Sequence, residues 1–159
     1  MSTLSFPKLD SVINTFFQDV LKIECTAHYD NDFAYWYAKS EITYGLLVDE
    51  QATRFFEFAK GLGLKYDCGT FILSLMHEVG HDQTLDSLTD AEFRKSEKAK
   101  KKLQAIDSFE YFNLPDEIIA TKWAVDYINN HKDILAKFAK DVQKAMQDEN
   151  IEYLTGGTE

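Results

Sequence analysis

Phe71-Ile72-Leu73-Ser74-Leu75-Met76-His77-Glu78-Val79-Gly80-His81 is the stretch whose reading decides the rest of the chain. Its last five residues place two histidines four apart, with a glutamate directly after the first. On a helix, side chains at i and i+4 lie one above the other, so both imidazoles can grip a single divalent ion. Glu78, turned about 100° from His77, is out of line with the pair. It is placed to take a proton from a water rather than to bind the ion. The apolar run Phe71, Ile72, Leu73, Leu75 and Met76 predicts a helix, about 70 to 82, that is buried nearly all round. Two imidazoles and a carboxylate inside such a helix are costly unless paired, and a metal ion satisfies all three. The alternative is a chance match to a short pattern.

Zinc suits these residue types, because it accepts neutral imidazole and carboxylate and keeps a fourth position for water, whose pKa it lowers to about 7. A catalytic zinc of this kind needs a third protein ligand, here sought on a later helix. Glu117 is the choice, at the head of Glu117-Ile118-Ile119-Ala120-Thr121-Lys122-Trp123-Ala124. Its other reading is a first-turn acid that complements the helix dipole, as Asp116 beside it would. Asp116 is the competing ligand and His131 the next. His131 lies roughly 20 Å beyond Glu117 along a straight helix, so those two cannot share one ion. His28 falls in a strand region and reads as a packed or surface residue. Tyr35, Tyr37, Tyr44 and Tyr111 receive no catalytic role.

At 159 residues, 45% of them hydrophobic, the chain fits one domain with an ample core. Residues 1–159 are therefore read as one unit, with 148–159 a loosely ordered tail. A formal charge of -10 argues against a nucleic-acid surface or an anionic membrane as the main partner. The basic run Arg94, Lys95, Lys98, Lys100, Lys101 and Lys102 is interrupted by Glu97 and preceded by Glu92, and reads as a solvated helix face. Cys25 and Cys68 have no paired spacing and read as small buried residues. The N-terminus lacks a basic segment followed by an apolar one, and no apolar run approaches the ~20 residues of a membrane span, so a cytoplasmic location is expected.

Around the central helix, the pattern predicts an α+β fold, mostly helical with a small two- or three-stranded antiparallel sheet. Val12, Ile13, Phe16, Phe17, Val20 and Leu21 predict an amphipathic helix over 11–23, capped by Asp10 or Ser11. Thr26 to Tyr29 and Phe33 to Tyr37 read as strands flanking a hairpin turn at Asp30-Asn31-Asp32, with a further strand from Glu41 to Val48. Asp49 then caps a helix that ends near Gly61-Leu62-Gly63. Thr89 to Glu92 opens a polar helix reaching about Ile106, with Phe93, Ala99, Leu103 and Ile106 as its stripe. Pro115 opens a helix to about Asn130, and the last runs from about Lys132 to Gln147.

With both segments in view, the chain resembles the zincins, and among them the small gluzincin-like peptidases of the ImmA/IrrE group. His77, Glu78, Gly80 and His81 match that group's HExGH motif, and Leu85 a hydrophobic position after it. Glu117, Ala120, Trp123 and Ala124 match its second helix, E-x-x-A-(N/D)-x-F-A, with tryptophan standing for phenylalanine. The resemblance covers about 40 to 130. It implies a minimal zincin-like architecture, zinc held by His77, His81 and Glu117, and Glu78 as the base that hydrolyses a peptide bond in a protein substrate. It also implies a repressor or other regulator as that substrate, and a phage or mobile-element setting. Thr121 stands where the group carries aspartate or asparagine, and Asp82 where an uncharged residue is usual. Both motivate the alternative of a catalytically inactive zincin-like module that docks a partner protein. In the hydrolytic reading, a strand edge at 41–48 would align an extended peptide.

Overall fold

Pro7, not Asp10 or Ser11, sets where the first helix begins, because proline at the first helical position loses no hydrogen bond and brings a pre-set φ. The computed structural model describes residues 5–46, 50–102 and 109–151, in the α+β class that the pattern predicts. The chain divides into two compact units, Met1–Leu47 with Asp133–Glu159, and Val48–Lys132. No helix among the described residues is long and apolar enough to cross a membrane.

In the first unit, α1 (Pro7–Thr15) runs into a π-helical turn, Phe16–Leu21, which ends at Lys22 in the left-handed region with φ 57°. That wider turn breaks the regular helical period. Phe16 and Phe17 stay buried, whereas Val20, expected on the same face, is 42% exposed. The last helix, α7 (Lys132–Asp148), buries Leu135, Phe138, Val142, Ala145 and Met146 as one stripe, and Phe138 stacks on Phe16 with ring centroids 3.9 Å apart.

Three short strands, β1 (Thr26–Tyr29), β2 (Ala34–Trp36) and β3 (Glu41–Tyr44), form a sheet in the order β1-β3-β2. The sheet is mixed rather than wholly antiparallel, since β3 pairs antiparallel with β2 and parallel with β1. Asp30-Asn31-Asp32 therefore turns the chain but closes no hairpin. The hairpin is at Tyr37-Ala38-Lys39-Ser40, where Trp36 faces Glu41 and Ser40 takes φ 52°. β3 is the middle strand, so its described residues offer no free edge to an extended peptide. The outer side of β1 is covered at Ala27, whose backbone N–H and C=O both bond the Asn14 side chain, at 2.8 and 3.0 Å. Asp49, the expected end of the third strand at Val48, the stripe residues Leu103 and Ile106, and most of the expected tail lie outside the described residues.

The second unit is helical: α2 (Glu50–Gly61), α3 (Thr70–Thr84) with a 3-10 turn at Leu85–Ser87, α4 (Asp90–Lys102), the short α5 (Phe109–Phe112) and α6 (Pro115–Asn130). Gly63, at φ 104°, supplies the left-handed conformation that ends α2. α4 opens on a reciprocal cap: the Glu92 N–H donates to Thr89 Oγ1 at 3.1 Å and the Thr89 N–H to the Glu92 carboxylate at 3.0 Å. α3 is enclosed as its composition predicts, every residue from Phe71 to Gly80 except Ser74 being buried. Its most extensive partner is α6.

Candidate metal centre

The approach of α3 to α6 rests on small residues. A Cβ at Gly80 would run into the backbone carbonyl of Ala120, and Ala120 and Ala124 are fully enclosed. Only glycine at 80 and a small residue at 120 let the two backbones touch. This contact brings the first turn of α6 to the ligand face of α3. Pro115 starts that turn, and Leu114 precedes it in an extended conformation.

His77 and His81 from α3 and Glu117 from α6 converge, each offering a ligand atom within 4.8 Å of the others. His77 Nε2 lies 2.9 Å from Glu117 Oε1, and His81 Nε2 lies 3.3 Å from Glu117 Oε2. Tetrahedral zinc with ligands at 2.0–2.1 Å spaces its donors about 3.3 Å apart. The buried group can hold a metal ion, and two nitrogens with one carboxylate are donors of the kind zinc accepts. The Phe55 ring from α2 packs edge-on against the His77 imidazole, centroids 4.9 Å apart, and walls that side of the group with an apolar surface.

The hydroxyl of Thr121 buttresses the far side of the His77 ring. Thr121 Oγ1 lies 2.9 Å from the carbonyl oxygen of Glu117, one turn back, and 2.9 Å from His77 Nδ1. It pins the ring at Nδ1 and leaves Nε2 as the nitrogen turned to Glu117. Outer hydrogen bonds of this kind fix the tautomer and orientation of a ligating histidine.

The electrostatics centre on Glu117. Burial opposes its ionisation, yet hydrogen bonds from His77 and His81 hold its carboxyl well below the usual range. Burial likewise disfavours charge on His81, but the bond to Glu117 and the nearby carboxylates raise its pKa to about 9. Glu78 is affected in the opposite sense from Glu117: burial pushes its carboxyl up, and the neighbouring histidines offset this only in part.

Lys100 is the residue that sequence reasoning misplaced. Arg94, Lys95, Lys98, Lys101 and Lys102 are exposed as a solvated face requires, but the Lys100 side chain is only 24% exposed. Its Nζ lies 2.7 Å from Glu117 Oε2 and 2.7 Å from Asp116 Oδ2. α4 is seated there by Ser96, fully buried one turn before Lys100, whose Oγ accepts the Asp116 N–H at 3.4 Å. Burial disfavours the ammonium, and the Glu117 charge with the two carboxylate bonds outweighs this and raises its pKa.

Asp116 thus faces Lys100 and does not join the ligand group. His131 stands at the end of α6, its ring stacked on Tyr127 at 3.9 Å and its Nδ1 2.9 Å from the Tyr127 carbonyl. His28 belongs to β1 of the first unit, half-buried. Asp82 accepts a bond from Gln83 Nε2 at 2.9 Å. Tyr44 is buried against Asp10, Tyr37 is exposed, and the Tyr111 ring lies 5.5 Å from Lys100 Nζ. Cys25 is buried as expected, whereas Cys68 is only partly so.

The chain matches no family model, no curated protein and no solved structure.

Proposed function

We propose that the chain is a zinc-dependent peptidase that cleaves a protein substrate, with His77, His81 and Glu117 as metal ligands and Glu78 as the general base. The convergence of those three ligand atoms beside a buried glutamate carries the reading. Zinc, when bound, polarises a carbonyl and lowers the pKa of water to about 7. Glu78 accepts the proton of the attacking water and passes it to the leaving amine, and its burial shifts proton affinity in the direction a base working near neutral pH needs. Thr121 holds the His77 ring, and Phe55 shields it from water. A regulator or repressor as substrate, a phage or mobile-element setting and a cytoplasmic location belong to the same reading, through the resemblance to ImmA/IrrE peptidases.

The ion pair between Lys100 and Glu117 favours one other reading, a catalytically inactive zincin-like module that docks a partner protein. Elemental analysis of untagged protein, with peptide-cleavage assays, separates the two. The peptidase reading expects one zinc per chain, affinity lowered by roughly a hundredfold or more in His77→Ala, and cleavage lowered about a hundredfold in Glu78→Gln with zinc retained. Stoichiometric zinc surviving in His77→Ala sinks the ligand assignment. Zinc without cleavage leaves the binding module, and cleavage indifferent to Glu78→Gln removes Glu78 as the base.

A further inference from the structure

We infer that Lys100 is a cation built into the chain to compete with the metal for Glu117, so that its seat decides how tightly the ion is held. The inference rests on the metal-site reading above. The carboxylate oxygen that Lys100 takes, Oε2 of Glu117, is the one that also faces His81 Nε2. An ammonium there withdraws electron density from the ligand and repels a divalent ion a few ångströms away, and both effects weaken metal binding.

The surroundings of Lys100 are too complete for a surface lysine that strays inward. Its ammonium has two carboxylates at 2.7 Å and the Tyr111 ring at 5.5 Å. Asp116 completes the device. It is 6% exposed, and its Oδ1 is buried with no hydrogen-bond partner among the described residues, while Oδ2 holds Lys100. A buried carboxylate oxygen left unpaired is costly, and here it offers the ammonium a second seat. Lys100 bridges Asp116 Oδ2 and Glu117 Oε2. As an ion binds, it gives up Glu117, keeps Asp116 Oδ2 and takes Oδ1 as well, so that the carboxylate pair is shared between two cations.

Zinc affinity measured at one fixed pH, by competition with a chromophoric chelator, tests this on the full chain. Lys100→Met is expected to bind zinc about tenfold more tightly than the parent, and Lys100→Arg, which keeps the charge, to bind like the parent. Lys100→Gln serves as a second neutral variant if the methionine protein aggregates. Asp116→Asn removes the second seat and is expected to weaken binding with Lys100 present, and to do so far less in the Lys100→Met background. Equal or weaker zinc binding in both neutral variants overturns the inference, for Lys100 then merely positions Glu117. Failure of the metal site itself looks different: neither the parent nor any Lys100 variant binds zinc, or His77→Ala binds it as well as the parent.

Discussion

Each of the two compact units ties down a carboxylate, and they treat it differently. In Met1–Leu47 with Asp133–Glu159, the Tyr44 hydroxyl donates to the half-buried Asp10. In Val48–Lys132, Glu117 receives His77, His81 and Lys100 on its two oxygens. The first arrangement is a settled contact that holds β3 to α1. The second gathers two imidazoles and an ammonium on one buried carboxylate, the arrangement on which the proposed metal site rests.

The contrast extends to glycines, and there the largest effect is expected. Gly45 and Gly80 both leave no room for a Cβ against backbone, at the carbonyl oxygen of Asn31 (2.6 Å) and at Ala120 respectively. Asn31 sits in an exposed turn that can shift, whereas Ala120 is locked inside α6. Gly80→Ala is expected to cost about 3 kcal/mol and Gly45→Ala about 1 kcal/mol in urea unfolding. Equal losses would remove the distinction between a yielding turn and a rigid helix seam.

Next in size is the Tyr44 bond. Tyr44→Phe is expected to destabilise by about 2 kcal/mol at pH 7, as for a hydrogen bond to a charged group. Burial, then the bond to Asp10, raises the pKa of the Tyr44 phenol. The folded state therefore holds that proton more tightly than the unfolded state does. Its stabilisation is complete below pH ~10, the unfolded value, and is lost as pH rises above it. The stability gap between parent and Tyr44→Phe should accordingly narrow in alkaline unfolding experiments. A gap unchanged to pH 11 would show that the phenol titrates normally.

The smallest effect sharpens the comparison from the second unit. Thr121→Val keeps the volume near α3 but removes the hydroxyl that meets His77 Nδ1, and zinc affinity is expected to fall about tenfold in the same chelator competition. No change would mean that packing by Phe55 alone orients the ring.

What the sequence made legible follows from how local each signal is. The enclosed character of α3 was written in five apolar side chains among the six residues 71–76, and Gly80, Ala120 and Ala124 were legible only as matched positions of the family resemblance. Glu117 as third ligand followed from the need for a carboxylate on a later helix and from that resemblance, and it does lie with His77 and His81. Lys100 was hidden because five similar residues around it are solvated, and its only cue, Ser96 one turn earlier, is a residue type equally at home on a surface. The π-helical turn at Phe16–Leu21 was invisible because the apolar spacing fits an ordinary helix as well. In the sheet, Asp30-Asn31-Asp32 carries turn-forming residues without closing a hairpin, while Tyr37-Ala38-Lys39-Ser40 closes one with none of the usual glycine, proline or asparagine. Pairing of β1 with β3 depends on partners far apart in the chain, which strand propensity does not encode.

The contact of Gly80 with the Ala120 backbone has a consequence for ion size. With no side chain interposed there, the gap between α3 and α6 is set by main-chain radii, and rotamer changes cannot widen it. Under the proposed metal-site reading, a jaw of that stiffness favours an ion that sits about 2 Å from nitrogen and oxygen over calcium, which wants six to eight oxygens at 2.3–2.6 Å. On that reading, the missing methyl group at residue 80 is what sets the preferred radius.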